Sequence, residues 1–109
     1  MCIRDSNDTL PSVLIKELTE RNQTIVFAES CTGGLLSSSL TSISGSSQVF
    51  KGSIVSYSNE LKNSLLNISK EKLTKYGAVS EEVCEDMAIN VKEKLGADWS
   101  IAVLSLIHI

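Results

Sequence analysis

The stretch Thr24-Ile25-Val26-Phe27-Ala28-Glu29-Ser30-Cys31-Thr32-Gly33-Gly34-Leu35-Leu36 decides the fold. Its first five residues are β-branched, aromatic or small and carry no helical period, the signature of a strand buried on both faces. Beyond the polar and glycine-containing turn, Leu35, Leu36, Leu40 and Ile43 resume the spacing of one helical face as far as Ser44-Gly45. Strand, turn, helix is the reading, and a serine stands where the strand ends.

Working outward, Val13, Leu14 and Leu18 follow Pro11-Ser12 at helical spacing and predict a helix near residues 10 to 21. Residues 49 to 57 predict a second strand, with Gly52 marking a bulge or a close backbone approach. A short helix follows, with Asn59 as its N-cap and Leu61, Leu65 and Leu66 as its apolar face. Another is predicted from Lys70 to Tyr76, ended by Gly77. Ser80 caps the clearest helix, in which Val83, Met87, Val91 and Leu95 lie four apart, with Glu81 and Glu82 in its first turn and Lys92 and Lys94 in its last. Gly96 stops it, and Trp99 to Val103 begins a third strand. Helices alternating with strands predict a three-layer α/β/α fold with a mostly parallel sheet.

The two ends of the chain read differently. Met1-Cys2-Ile3-Arg4-Asp5-Ser6 can be encoded by ATG TGT ATA AGA GAC AG, and the reverse complement of that string, CTG TCT CTT ATA CAC AT, encodes Leu104-Ser105-Leu106-Ile107-His108-Ile109. The string looks like a transposase adapter used in sequencing libraries. Residues 1 to 6 and 104 to 109 are therefore expected to be translated adapter, and residues 7 to 103 the native part of a partial domain. The alternative is a pair of ordinary termini, with Leu104–Ile109 ending a buried strand. On the adapter reading Met1 marks no natural start, a preceding domain is left open, and the sheet is expected to be incomplete at its C-terminal end. Arg4 and Asp5 cancel, so the net charge stays at -3, but the single histidine, His108, disappears.

A chain of 109 residues holds one domain or part of one. Mild acidity, with no basic stripe and no zinc-finger cysteine spacing, excludes the usual nucleic-acid binders. No apolar run is long enough to span a bilayer and no signal peptide is evident, so a cytoplasmic location is expected, with Cys31 and Cys84 reduced. Self-association is left open.

A serine at the carboxyl end of a buried strand, before two glycines and a helix, can expose its hydroxyl beside free backbone N–H groups. Ligands of open α/β sheets bind at such strand ends. The same pattern also describes a plain N-cap or a phosphate-binding turn at Thr32, Gly33 and Gly34. A nucleophilic Ser30 needs a base, and without a native histidine the candidates are lysine or a carboxylate. Lys62, in the first turn of the helix after the second strand, emerges at the same sheet edge if the two strands are neighbours. It would act as a base only with a lowered pKa, and otherwise is a solvated helix lysine. Tyr57 and Asn59 could orient Lys62 or bind substrate, or else cap the core and the helix. Glu29 must find donors: it could pair with Lys62, bind a ligand hydroxyl, or cap local N–H groups. Cys31 is either a rival nucleophile or a small buried residue. Cys84 and Met87 belong to a core face, and Trp99 to packing.

With Gly45-Ser46-Ser47, Phe50-Lys51-Gly52, Tyr57-Ser58-Asn59-Glu60-Leu61-Lys62 and Tyr76-Gly77-Ala78-Val79-Ser80-Glu81-Glu82-Val83 added to Thr24–Gly34, the chain resembles the CinA C-terminal family over nearly all of residues 7 to 103. Active members of that family are nicotinamide-nucleotide amidases. The resemblance implies hydrolysis of the carboxamide of nicotinamide mononucleotide to nicotinic acid mononucleotide and ammonia, a step of pyridine-nucleotide salvage, without metal or organic cofactor. It assigns Ser30 as nucleophile, Lys62 as its basic partner and Tyr57 as a site tyrosine. Glu29, Thr32, Gly33, Gly34 and Asn59 are the expected substrate contacts. The family continues from its third strand into a T-G-x-A-G-P loop, where this chain passes from Ala102-Val103 into the adapter-like hexapeptide. The chain is therefore expected to have impaired turnover. The rival expectation is a non-catalytic nucleotide-binding regulatory domain of a larger competence- or damage-inducible protein.

Overall fold

The computed structural model describes residues 10–32 and 34–104. Both terminal hexapeptides lie outside the described residues except for Leu104, which is buried.

Helix α1 (Leu10–Arg21) leads into strand β1 (Ile25–Glu29), helix α2 (Leu35–Thr41), a 3-10 turn at Ser46–Gln48 and strand β2 (Phe50–Val55). Helices α3 (Asn59–Leu66), α4 (Lys70–Tyr76) and α5 (Glu81–Leu95) then precede strand β3 (Trp99–Val103). The strands lie in the order β2-β1-β3, and both pairings are parallel. From β1 the chain steps to β2 on one side, then returns across β1 to reach β3 on the other. Right-handed crossovers in opposite directions place their helices on opposite faces. Ile25 and Phe27 accordingly pack with Ile15 and Leu18 of α1 and Leu40 of α2, whereas Val26 and Ala28 pack with Leu66, Leu73, Val83, Met87 and Val91 of α3 to α5. The expected α/β/α layering is observed.

All five residues of β1 are buried, because it is the central strand with helices over both faces. The strand runs one residue further than its apolar composition predicts. Glu29 pairs with Val55 and Val103 and ends the ladder. At the other end of β2, Ile25 faces Phe50 and Val26 faces Gly52, so Lys51 is the extra residue of a bulge. Gly52 takes φ 151, a region that favours glycine and accounts for its place there.

Helix α3 is capped differently from the expectation. Ser58 Oγ accepts the N–H of Leu61, and Asn59 is the first helical residue, exposed. The serine one position earlier already has the extended backbone that an N-cap needs, with φ -88 and ψ 157. Ser69 caps α4 and Ser80 caps α5 in the same way.

β3 leaves one sheet edge open among the described residues. Trp99 is 49% exposed rather than packed away, its Nε1 donating to Gln23 Oε1 at 2.8 Å, and Ile101 is 39% exposed. With Leu14, Leu18 and Ile25 these side chains line a groove of about 320 Å³ between α1 and β3. The groove lies at the amino end of the strands, away from Ser30. No helix among the described residues is long and apolar enough to cross a membrane.

Candidate active site

β1 and β2 end side by side, and the N–H of Ser56 donates to the carbonyl of Glu29 at 2.8 Å. Residues 30 and 56 therefore leave the sheet at one edge. Alternation along β1 sends Glu29 to the α1–α2 face, with Phe27, and Ser30 to the α3–α5 face, with Ala28. That parity decides the partner of each.

Ser30 meets Lys62. The ammonium nitrogen of Lys62 lies 3.2 Å from Ser30 Oγ, 3.1 Å from the carbonyl of Ser56 and 3.2 Å from the carbonyl of Tyr57. Lys62 is 2% exposed, and no carboxylate among the described residues pairs with it. Burial pushes its pKa below the usual lysine range. A protonated amine has three N–H groups for three acceptors here. A neutral amine would keep two on the carbonyls and turn its lone pair to Ser30 Oγ. The site thus holds a lysine in the arrangement that a serine's proton acceptor requires.

Glu29 does not pair with Lys62, one of the roles considered for it, and local donors take up its carboxylate. Its side chain is fully buried on the opposite face. Oε1 accepts from Thr32 Oγ1 at 2.7 Å and from the N–H of Leu36 at 2.8 Å. Oε2 accepts from the N–H of Ser37 at 3.1 Å and from Ser37 Oγ in a short hydrogen bond. Because a carboxylate only accepts, the proton of Ser37 goes to Glu29, and Ser53 Oγ, 2.7 Å from Ser37 Oγ, supplies its own. Burial pushes the pKa of Glu29 up, but the Ser37 and Thr32 hydroxyls and the two N–H groups outweigh it and hold the carboxyl below its usual value.

The first-turn amides of α2 are therefore already used. Leu36 and Ser37 donate to Glu29, and Leu35 donates to the carbonyl of Thr32. The N–H of Ser30 donates to Val103. Among the described residues, the N–H groups of Cys31 and Thr32 have no acceptor and remain free donors in the turn after Ser30. Thr32 donates its hydroxyl to Glu29 and so braces the turn. Gly33 lies outside the described residues. Gly34 caps α2 at φ 103 and ψ 3, and a Cβ there would meet only Val55 Cγ2, at 3.9 Å. Its requirement for glycine is set by backbone conformation. Gly34→Ala is expected to destabilise the chain by about 1–2 kcal/mol, read as a shift in the urea midpoint.

Tyr57 contributes its carbonyl to Lys62, and its ring is 77% exposed. Asn59 is exposed at the same edge. Cys31 is exposed, not buried. Cys84 sits against the core as expected, with Sγ 3.5 Å from the carbonyl of Ala102 and its thiol pKa pushed up by burial. Three contributors escaped the sequence reading. Ser56 holds Lys62 through its carbonyl, while Ser37 and Ser53 support Glu29. Ser53, a polar residue in register with buried Phe27, is the one that left a trace in the sequence pattern.

A family model, the CinA C-terminal domain, matches residues 7–104. A CinA-like protein of Prochlorococcus marinus (strain AS9601) is 89% identical over 99 residues, covering 91% of this chain and 23% of the relative. One from Gloeothece citriformis is 50% identical over 99 residues, covering 91% and 24%. The chain thus spans about a quarter of the length of these relatives. Among solved structures, the competence/damage inducible protein CihA of Agrobacterium tumefaciens superposes with TM-score 0.85 at 34% identity, over 94% of this chain and 62% of that one. A competence-damaged protein (CinA) superfamily member of Escherichia coli gives TM-score 0.85 at 34% identity, over 93% and 60%. With the family model covering nearly its whole length, the chain belongs to the CinA C-terminal domain family.

Proposed function

We propose that this domain is an amidase that deamidates nicotinamide mononucleotide to nicotinic acid mononucleotide and ammonia, with Ser30 as nucleophile and Lys62 as general base. The observation that carries the reading is the buried Lys62 amine 3.2 Å from Ser30 Oγ, without a carboxylate partner. Such an amine is expensive to bury and has no evident structural return beyond two carbonyl contacts.

In the proposed cycle Lys62 takes the proton of Ser30 as Oγ attacks the carboxamide carbon. The N–H groups of Cys31 and Thr32 hold the oxyanion. Collapse breaks the C–N bond, and the proton on Lys62 leaves with the departing ammonia. Water then attacks the acyl-serine, giving one proton to Lys62, which returns it to Ser30 as the acid is released. The exposed ring of Tyr57 and the side chain of Asn59 stand at the edge where substrate would approach.

The rival reading, a phosphate-binding regulatory turn, has fewer donors to draw on: the Leu36 and Ser37 amides of α2 are occupied by Glu29, whose charge would also repel a phosphate. The test is a single-turnover experiment: the chain is mixed with nicotinamide mononucleotide, quenched, digested and searched by mass spectrometry for the acyl adduct. The adduct is expected on the peptide bearing Ser30, absent in Ser30→Ala and retained in Cys31→Ala. An adduct that persists in Ser30→Ala, or moves to Cys31, would sink the mechanism.

A further inference from the structure

We propose that Glu29 is a positioning residue for Ser30: its carboxylate gathers the turn and the start of α2 into the one conformation that aims Oγ at Lys62 and frees the Cys31 and Thr32 amides for the oxyanion. This inference rests on the amidase reading of the Ser30–Lys62 pair.

The two residues are adjacent in sequence and point to opposite faces of the sheet, so nothing fixed on the Glu29 side touches the reacting atoms. The link is the backbone between them. Thr32, two residues after Ser30, is tied to Oε1 by its hydroxyl, while Leu36 and Ser37 tie the helix to both oxygens. Ser53 joins Ser37 from the neighbouring strand. The turn is thereby held at its strand end, in its middle and at its helix end by one buried group. Glu29 also selects which amides remain free. By taking the first-turn N–H groups of α2 it leaves the amides of Cys31 and Thr32 as the available donors next to Ser30 in the chain.

The donor arrangement requires a carboxylate, not just an acceptor of the same shape. Each oxygen of Glu29 faces one hydroxyl and one backbone N–H. A hydroxyl can rotate to accept, but a backbone N–H cannot. Glutamine would place its NH₂ against the N–H of Leu36 in one orientation and against that of Ser37 in the other. Either way two donors oppose each other in a dry site, and the turn must move to relieve them.

The experiment measures the rate of phosphonylation of Ser30 by a fluorescent alkyl fluorophosphonate on the 109-residue chain. Circular dichroism establishes the temperature at which each variant is fully folded. Glu29→Gln is expected to react about 30-fold more slowly, as a misplaced nucleophile does. The pH at half-maximal rate should stay where Lys62 sets it, with only the plateau lowered. Ser37→Ala, which removes one of the four donors and keeps the charge, is expected to react about 3- to 10-fold more slowly. It decides the matter should Glu29→Gln not fold. Asp98→Ala, which removes the carboxylate that holds Thr24 at the opposite end of β1, is the control for stability alone and is expected to react at the wild-type rate. Labelling of Glu29→Gln, or of Ser37→Ala where only that variant folds, within twofold of wild type would reduce Glu29 to a helix cap. So would an equal slowing in Asp98→Ala. A wild-type chain labelled no faster than Ser30→Ala would instead overturn the amidase reading, and this inference with it.

Discussion

Replacing Lys62 by methionine is expected to slow acylation of Ser30 by about 10²- to 10⁴-fold, the range in which a positioned proton acceptor contributes. Methionine fills much of the lysine stem's volume, so α3 can keep its place on the core through Leu66, which is fully buried. Ser30 Oγ then has no base within reach, and the carbonyls of Ser56 and Tyr57 lose their donor. The two forms should also differ in how pH acts on them. In the wild-type chain, acylation should rise with pH through the lowered pKa of Lys62, because only the neutral amine accepts a proton. Stability should rise over a related window. Below the lowered pKa both folded and unfolded chains carry the lysine proton, and the folded chain bears the full cost of a buried charge. Between that pKa and the ordinary value of 10.5 the unfolded chain binds more protons, so raising the pH favours folding. The gain is about 1.4 kcal/mol for each pH unit in the window. Lys62→Met should lack this slope. Urea titrations of both chains from neutral pH to above pH 10 test it, and parallel stability curves would refute the buried-base assignment.

Phe27→Ala is expected to cost about 3–5 kcal/mol, a large share of the roughly 5–15 kcal/mol that holds a domain of ordinary stability folded. Phe27 is 1% exposed in the central strand, and its ring centroid is 5.0 Å from that of Phe50 at an interplanar angle of 35°. It anchors the smaller of the two cores, in which the buried residues are Ile15, Leu18, Ile25, Phe27, Leu40 and Val49. With helices α1 and α2 meeting the sheet there, the neighbours are held from several sides and can collapse only partly into the space left. The open groove along β3 on that same face leaves less surrounding structure to compensate. Chemical denaturation measures the effect, and a loss below about 1.5 kcal/mol would show that the face repacks freely.

The fold was legible because its elements are locally consistent. Thr24–Ala28 is too apolar for a one-sided strand, and Gly45, Gly77 and Gly96 interrupt the helical patterns where the chain turns. The spacing of Val83, Met87, Val91 and Leu95 predicts α5 without tertiary information. Misreadings arose where two adjacent residues offer similar local chemistry. Ser58 and Asn59 are both competent caps, and only the backbone conformation chose the serine. Trp99 looks like a core residue by type, but its face of β3 lies along an open groove.

By itself, the sequence determined the layered parallel architecture, the serine at the end of the central strand and a lysine in the first turn of the helix after the next strand. Each follows from composition and period along a single segment. Only the tertiary structure decided the partners. Strand parity sends Glu29 and Ser30 to opposite faces, and the neighbouring placement of β1 and β2 brings Lys62, 32 residues away in sequence, to Ser30 Oγ. That is why Glu29, whose fate was open between ligand, ion pair and cap, became the acceptor of four donors from Thr32, Leu36 and Ser37. A buried charge is settled by whichever donors the fold brings to it, and those lie on segments that no local reading connects.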